Sequence, residues 1–270
     1  MPGRAASAGD LGAQSPWKVS ARVIGALVLR ESLTRYGRNN IGFLWLIVEP
    51  MLFTLVITAL WTAMRQIHRS DIPIAAFALT GYSSVLLWRN MPGRCIRALK
   101  SNRALLFHRQ VKMLDVYLAR ILLEFGGVTI SFIGLGIALW AIEWITPPED
   151  VLAVFFAWML LAWFGGALAL TLGSMSEKYT LIEKVWPAVA LILFPLSGAA
   201  FMVDALPAKA QDILLYLPML HGVEYLREGF FGSQVHARFD LSYLIVCNTL
   251  LTLFGLTQVK RVVLGESTEF

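Results

Sequence analysis

The residues best suited to chemistry in this chain are a few charged side chains that stand inside apolar sequence. Glu49 and Pro50 interrupt a long apolar run, and Arg120 precedes Glu124 by four residues. A carboxylate at the centre of a membrane-spanning helix costs about 2.5–3.5 kcal/mol, and a proline inside a helix costs about 3 kcal/mol. We therefore expect Glu49 and Pro50 to face protein, with Pro50 setting the angle of a gating helix. Arg120 and Glu124 should form a mutually neutralising pair on one helix face.

No set of residues for bond-making chemistry accompanies these charges. The sequence has no G-x-x-x-x-G-K-[ST] phosphate loop, no G-x-S-x-G elbow and no Cys/His cluster. The two cysteines are too few for a disulfide framework or a metal site. The sequence therefore predicts no catalytic residue, no metal and no bound cofactor.

A basic stretch extends from Arg89 to Lys112 without an acidic residue. Its middle predicts a helix, about residues 94–106, with an apolar edge and basic side chains that dock on a partner. The residues assigned to this docking helix are Arg94, Ile96, Arg97, Leu99, Lys100, Arg103 and Leu106. A loop that only sets membrane orientation fits the same spacing equally well.

The elements that would carry these residues are long apolar blocks. Hydrophobic residues make up 57% of the chain and charged residues 15%, against about 45–50% and about 25% in soluble domains. A span needs roughly 20 apolar residues to cross about 30 Å of hydrocarbon. The blocks that meet this need are residues 41–64, 72–88, 116–142, 151–173, 185–203 and 241–259. The sequence therefore predicts an all-α polytopic membrane protein with six transmembrane helices.

Basic residues are concentrated on one side of these predicted spans. Six Lys and Arg residues precede the first span and seven lie between the second and the third. The stretch "EWITPPED" (residues 143–150), on the other side, contains only acidic charges. Because cytoplasmic loops are enriched in Lys and Arg, both termini are predicted to be cytoplasmic.

Segments outside the spans complete the predicted organisation. Residues 1–17 are expected to be a disordered tail, and residues 18–40 an interfacial helix on the cytoplasmic leaflet. Residues 41–260 form the transmembrane domain, and residues 261–270 a cytoplasmic tail. Residues 204–232 mix apolar turns with prolines and glycines, which predicts a periplasmic re-entrant helical hairpin before the last span.

Four stretches of the sequence resemble one family. They are "TRYGRNNIGFLWLIVEPMLFTL" (from Thr34), "ALLFHRQVKMLDVYLARILLE" (from Ala104), "FPLSGAAFMVDALP" (from Phe194) and "LPMLHGVEYLREGFFG" (from Leu217). These stretches are similar to inner-membrane permeases of ABC-2 type polysaccharide exporters, and among them to the KpsM-type capsular polysaccharide export subunits of Gram-negative bacteria. The resemblance extends from about residue 29 to about residue 260.

The resemblance implies a permease subunit of the bacterial inner membrane that exports a lipid-linked acidic polysaccharide. It implies a homodimer, two copies of a separate cytoplasmic ABC ATPase that binds ATP and Mg, a periplasmic adaptor of the polysaccharide co-polymerase type and an outer-membrane export pore. No nucleic-acid partner is expected. It also implies that residues 94–106 couple to the ATPase. Export of another substrate (O-antigen, teichoic acid, a drug or a lipid) and a membrane-embedded enzyme of glycan or lipid assembly are the alternatives.

A hydrated sugar chain with an acidic anchor calls for aromatic rings and cations along its path. The residues assigned to the path or to anchor recruitment are Arg35, Arg38, Trp45, Glu49, Tyr82, Trp88 and Arg89, with Trp61, Trp158, Trp163 and Arg94 as further candidates. Aromatic belts at the membrane interface and cations that only contact anionic lipid explain the same residues.

Overall fold

The described part of the chain is helical. The computed structural model describes residues 16–36, 48, 51–52, 54–56, 59–60, 73–106 and 111–266. Predictions made for Arg38, Trp45, Glu49, Pro50 and Trp61 lie outside the described residues. Arg35 lies in a helix, but its side chain is also outside the description. No strand occurs in the described ranges, which confirms the all-α prediction there.

Ten helices have defined bounds in these ranges. They are α1 (Pro16–Tyr36), α2 (Ile74–Cys95), α3 (Ala98–Ser101), α4 (Arg103–Leu106), α5 (Met113–Ala141), α6 (Val151–Lys178), α7 (Thr180–Leu196), α8 (Ala208–Leu214), α9 (Pro218–Phe231) and α10 (Leu241–Glu266). Two short 3₁₀ turns, Val203–Ala205 and Gly232–Gln234, flank the region of α8 and α9.

Three of the described helices are long and apolar enough to cross a membrane. They comprise all of α5, all of α6 and residues Leu241–Leu264 of α10. They coincide with the predicted spans 116–142, 151–173 and 241–259. The predicted span 72–88 corresponds to α2, and 185–203 corresponds to α7, which has only 17 residues. Six spans therefore stay a prediction.

Helix α6 lies at the centre of the bundle and packs along α2, α9 and α10. Its glycines permit close approach to α2. A Cβ added at Gly165 would come within 2.8 Å of Trp88 Cα, and one at Gly173 within 3.0 Å of Cys95 Cβ, both on α2. Small residues let membrane helices approach until their backbones nearly touch. The result is a dense core in which Trp88 and Tyr117 are fully buried.

Helix α9, which is not among the three spanning helices, carries a buried arginine. Arg227 Nη1 donates to the carbonyl oxygens of Gly198 and Phe201, both at 2.5 Å, and Nη2 donates to that of Ala199 at 2.8 Å. The guanidinium also lies 3.8 Å from the ring centroid of Phe77. Burial lowers the pKa of Arg227 to about 9, and the charge of Glu224 opposes this shift.

Glu224 supports the same region from one turn earlier in α9. Its carboxylate accepts hydrogen bonds from the backbone N–H groups of Val203 (3.2 Å) and Arg238 (3.1 Å). Burial raises the pKa of Glu224, whereas these N–H groups and the charge of Arg227 lower it. Residues 198–203 and the chain that leads into α10 are thus held on α9. A re-entrant position for this segment stays a prediction.

Candidate functional site

The predicted docking helix over residues 94–106 is broken into short turns, so the expectation of one helix is wrong. Helix α2 continues to Cys95, and Arg97 then adopts a left-handed backbone conformation (φ 63°). Helices α3 and α4 follow as single turns, separated at Asn102. Asn102 Nδ2 donates to the carbonyl of Ala98 at 2.9 Å, a side-chain bond that competes with helix propagation. We call residues 94–106 the coupling segment.

The apolar residues of the coupling segment face inward. Ile96 and Leu99 are buried, and Leu106 is half-buried against the same core cluster. The chain's own core covers much of these side chains, so their role as an apolar edge for a partner stays a prediction. The basic residues Arg97, Lys100 and Arg103 are exposed, together with Ser101 and Ala104.

Arg120 and Glu124 belong to a wider network than the isolated pair that their spacing predicts. Glu124 Oε1 lies 3.2 Å from Arg94 Nε. Arg120 Nη1 donates to the carbonyl oxygen of Arg94 at 2.6 Å, and Nη2 donates to Ser101 Oγ at 2.8 Å. Arg120 Nη2 also lies 3.3 Å from Glu31 Oε1. These contacts form a network that joins α1, α5 and the coupling segment, and the direct pairing of Arg120 with Glu124 stays a prediction.

Two further polar contacts hold the coupling segment to its neighbours. Arg30 Nη1 of α1 donates to Asn102 Oδ1 at 2.9 Å. On the other side, Arg97 forms an ion pair with Glu183 in the first turn of α7. The coupling segment is thus held by charged contacts to α1, α5 and α7, and motion of the segment must act on all three helices.

A groove of about 500 Å³ opens between α2 and α7 beside this network; we call it the anchor groove. It is lined by Arg89, Asn90, Gly93, Arg94, Trp186, Pro187, Ala190 and Leu191. Arg94 is paired with Glu124, whereas no described carboxylate pairs with Arg89. A cation beside an aromatic ring suits a ligand that joins an anionic group to a sugar or lipid.

A second groove, of about 650 Å³, lies where the coupling segment meets the ends of α6 and α10; we call it the basic groove. Its cations are Lys100, Arg103, Lys178 and Arg261, and Glu177 is its acidic residue. The floor includes apolar side chains such as Leu99 and Val262. A surface of this charge attracts an acidic partner and steers its association.

The predicted aromatic path residues lie mostly in the core. Tyr82 packs edge-on against Phe194, and Trp88 against Phe164, and both are buried. Trp158 is buried too, whereas Trp163 is exposed and donates from Nε1 to Thr252 Oγ1. The rings of Tyr82, Trp88 and Trp158 line neither of the two grooves described above, and their place on a substrate path stays a prediction.

Sequence reasoning missed three side chains of this region and of α9. Trp186 lines the anchor groove, although it reads from sequence as one more apolar residue of a span. Arg227 and Glu224 are fully buried. Their signal was available, because two opposite charges three residues apart stand in the apolar stretch "LPMLHGVEYLREGFFG".

Residues 22–231 match the family model of the ABC-2 type transporter. The chain is 45% identical over 243 residues to the capsule polysaccharide export inner-membrane protein CtrC of Neisseria meningitidis serogroup B, covering 90% of this chain and 92% of the relative. It is 42% identical, with the same shares, to the capsule polysaccharide export inner-membrane protein BexB of Haemophilus influenzae. It is 29% identical over 246 residues to the polysialic acid transport protein KpsM of Escherichia coli, covering 90% and 93%.

Proposed function

Because this chain belongs to the ABC-2 type transporter family, we propose that it is the permease subunit of an exporter that moves capsular polysaccharide across the inner membrane. The observation that carries this proposal is the 45% identity to a capsule polysaccharide export inner-membrane protein along nearly the full length of both chains. The three spanning helices agree with it. The chain is a multi-pass protein of the inner membrane.

The exporter's energy comes from a separate ATPase in this proposal. The chain lacks a phosphate loop, and the family works with ABC ATPases. Two copies of the ATPase, holding ATP and Mg, dock on Lys100 and Arg103 of the coupling segment and on the rest of the basic groove, whereas Arg97 is engaged by Glu183. Support comes from the exposure of Lys100 and Arg103, since charge complementarity at an interface speeds association and excludes wrong partners.

The anchor groove is the proposed point at which the lipid-linked acidic polysaccharide enters. Arg89 supplies a cation for the anionic anchor through charge-assisted hydrogen bonds. Trp186 supplies an apolar face with a polar edge, which suits a sugar or a lipid-linked sugar. Arg35 and Arg38 remain proposed contributors to anchor recruitment.

The remaining partners follow from the family and from the charge distribution. Two copies of the chain line a wide path between them, because a hydrated polysaccharide cannot cross lipid. Both termini and the coupling segment face the cytoplasm, as the excess of Lys and Arg there favours. A periplasmic adaptor contacts residues 204–232. The adaptor and an outer-membrane pore then carry the polysaccharide onward.

Deletion of the gene in its encapsulated host tests the proposal. Capsular polysaccharide should disappear from the cell surface and accumulate inside the cell, and the wild-type gene should restore it. A matched variant, Arg89→Glu, should insert into the membrane normally, yet it should restore little capsular polysaccharide to the cell surface. An unchanged surface capsule after deletion would contradict the function.

A further inference from the structure

Arg97 and Glu183 form the described ion pair that joins the coupling segment directly to α7. Arg97 Nε contacts Glu183 Oε1; the Arg97 side chain is 67% exposed and that of Glu183 only 13%. A carboxylate largely removed from water needs a cation or hydrogen-bond donors nearby. Among the described residues, Arg97 is the cation that meets this need. The pair therefore has one end at the surface and one end inside the bundle.

The backbone at Arg97 supports a special role for this position. Its φ of 63° and ψ of 11° lie in the left-handed region, which costs free energy for a residue with a side chain. Such conformations persist where the surrounding structure enforces them, often at sites that move or bind. Arg97 is also the point at which α2 has ended and α3 has not begun.

Glu183, the partner of Arg97, lies in a turn of α7 that Pro187 separates from the rest of the helix. Glu183 lies in the first turn of α7, which follows α6 after the single residue Tyr179. Pro187 has no N–H group, so the carbonyl of Glu183 lacks its helical donor. Kinks in helices occur at such prolines. The part of α7 that precedes Pro187, residues 180–186, carries both Glu183 and Trp186. This part can therefore tilt about Pro187.

Trp186 connects this turn to the anchor groove. Its side chain is buried and lines that groove opposite Arg89. A Cβ added at Gly93 of α2 would lie 3.6 Å from Trp186 Nε1, so the ring rests close against α2. Any tilt of residues 180–186 must change the distance between Trp186 and α2.

We infer that the Arg97–Glu183 pair transmits motion of the coupling segment to Trp186 and thereby opens or closes the anchor groove. This inference rests on the proposed function. Arg97 and Glu183 are positioning residues, because they act on the substrate through Trp186. When the partner ATPase displaces the coupling segment, Arg97 draws Glu183 with it, and the first turn of α7 tilts about Pro187. Glu183 is largely removed from water, so loss of Arg97 alone should cost stability, and export is therefore measured per molecule of inserted permease.

A charge swap in the complete exporter, permease with its ATPase, tests the inference. The variants are Arg97→Glu, Glu183→Arg and the double exchange. Lys184→Glu is the matched control, since Lys184 is exposed one residue away and has no described partner. Each single reversal should lower polysaccharide export about tenfold, and the double exchange should recover it to within about twofold of wild type. ATPase co-purification and ATP hydrolysis should stay at wild-type level in all four.

Neutral variants keep the test valid if a charge reversal lowers the amount of protein. Arg97→Gln and Glu183→Gln should each lower export, and the double glutamine variant should be no worse than either alone. The inference is overturned if the single variants export normally, if the double exchange stays inactive in an intact complex, or if the single variants lose the ATPase. A wild-type complex that hydrolyses ATP without exporting polysaccharide would instead contradict the proposed function.

Discussion

Arg120 Nη1 donates a hydrogen bond of 2.6 Å to the backbone carbonyl of Arg94, at the last turn of α2. The same guanidinium bonds Ser101 and lies beside Glu31. One side chain of α5 therefore satisfies a helix end, holds the coupling segment and pairs with α1. Carbonyls at a helix C-terminus carry partial negative charge, so a cation there stabilises the helix end.

Replacing Arg120 with alanine should destabilise the protein by about 2–3 kcal/mol, because the hydrogen bonds that its charged guanidinium donates to the Arg94 carbonyl and to Ser101 are lost. Thermal unfolding in detergent measures the effect. Arg103→Ala is the control, since that side chain is exposed. Equal unfolding temperatures for the two variants would show that the network does not stabilise the fold.

Arg227→Met should be more damaging than any change at the surface. It leaves three carbonyl oxygens without their donor and Glu224 without the nearby positive charge in a fully buried place, and removal of one partner of a buried pair costs about 3–5 kcal/mol. Arg238→Gln, at a side chain that is 54% exposed, should cost no more than about 1 kcal/mol. Unfolding midpoints of the two purified variants provide the comparison.

The basic groove predicts an association with the ATPase that depends on salt. Lys100→Glu combined with Arg103→Glu should weaken co-purification of the ATPase at least about tenfold, because like charges oppose each other across an interface. The wild-type complex should itself weaken as ionic strength rises. Lys100→Arg with Arg103→Lys keeps both charges and should behave as wild type. Salt-independent association would count against an electrostatic interface.

Trp186 should be more important for export than for stability. Trp186→Phe keeps an aromatic face and should retain much of the polysaccharide export. Trp186→Ala removes the ring and should lower export about tenfold, taking the stacking energy of a sugar as similar to that of a nucleic-acid base. Surface capsule per molecule of inserted permease is the measurement. Trp163→Ala is the matched control, because this exposed ring of α6 is not among the residues that line the anchor groove. This variant should export normally.

Much of the architecture could be predicted from apolar block length alone. The blocks at 116–142, 151–173 and 241–259 coincide with α5, α6 and α10 because long apolar runs leave a chain few alternatives in lipid. The position of the coupling segment followed from a run of seven cations. These are local properties, so they need no knowledge of which elements meet.

What the sequence could not show depended on tertiary contact. Spacing places Arg120 and Glu124 on one helix face, but it does not show that Glu31 and Arg94 of other elements also contact them. The expectation of one helix over residues 94–106 was wrong, and the break at Arg97 could not be anticipated, because arginine rarely adopts a left-handed conformation. Periodicity indicates an apolar edge at Ile96 and Leu99 without showing that the chain's own core buries them.

The close glycine contacts between α2 and α6 make these two helices act as one rigid unit. There is no room for a methyl group at Gly165 or Gly173, and helices packed this closely resist sliding past each other. If the coupling segment moves as we infer above, the displacement is therefore expected in residues 180–186, which follow Tyr179, and not between α2 and α6.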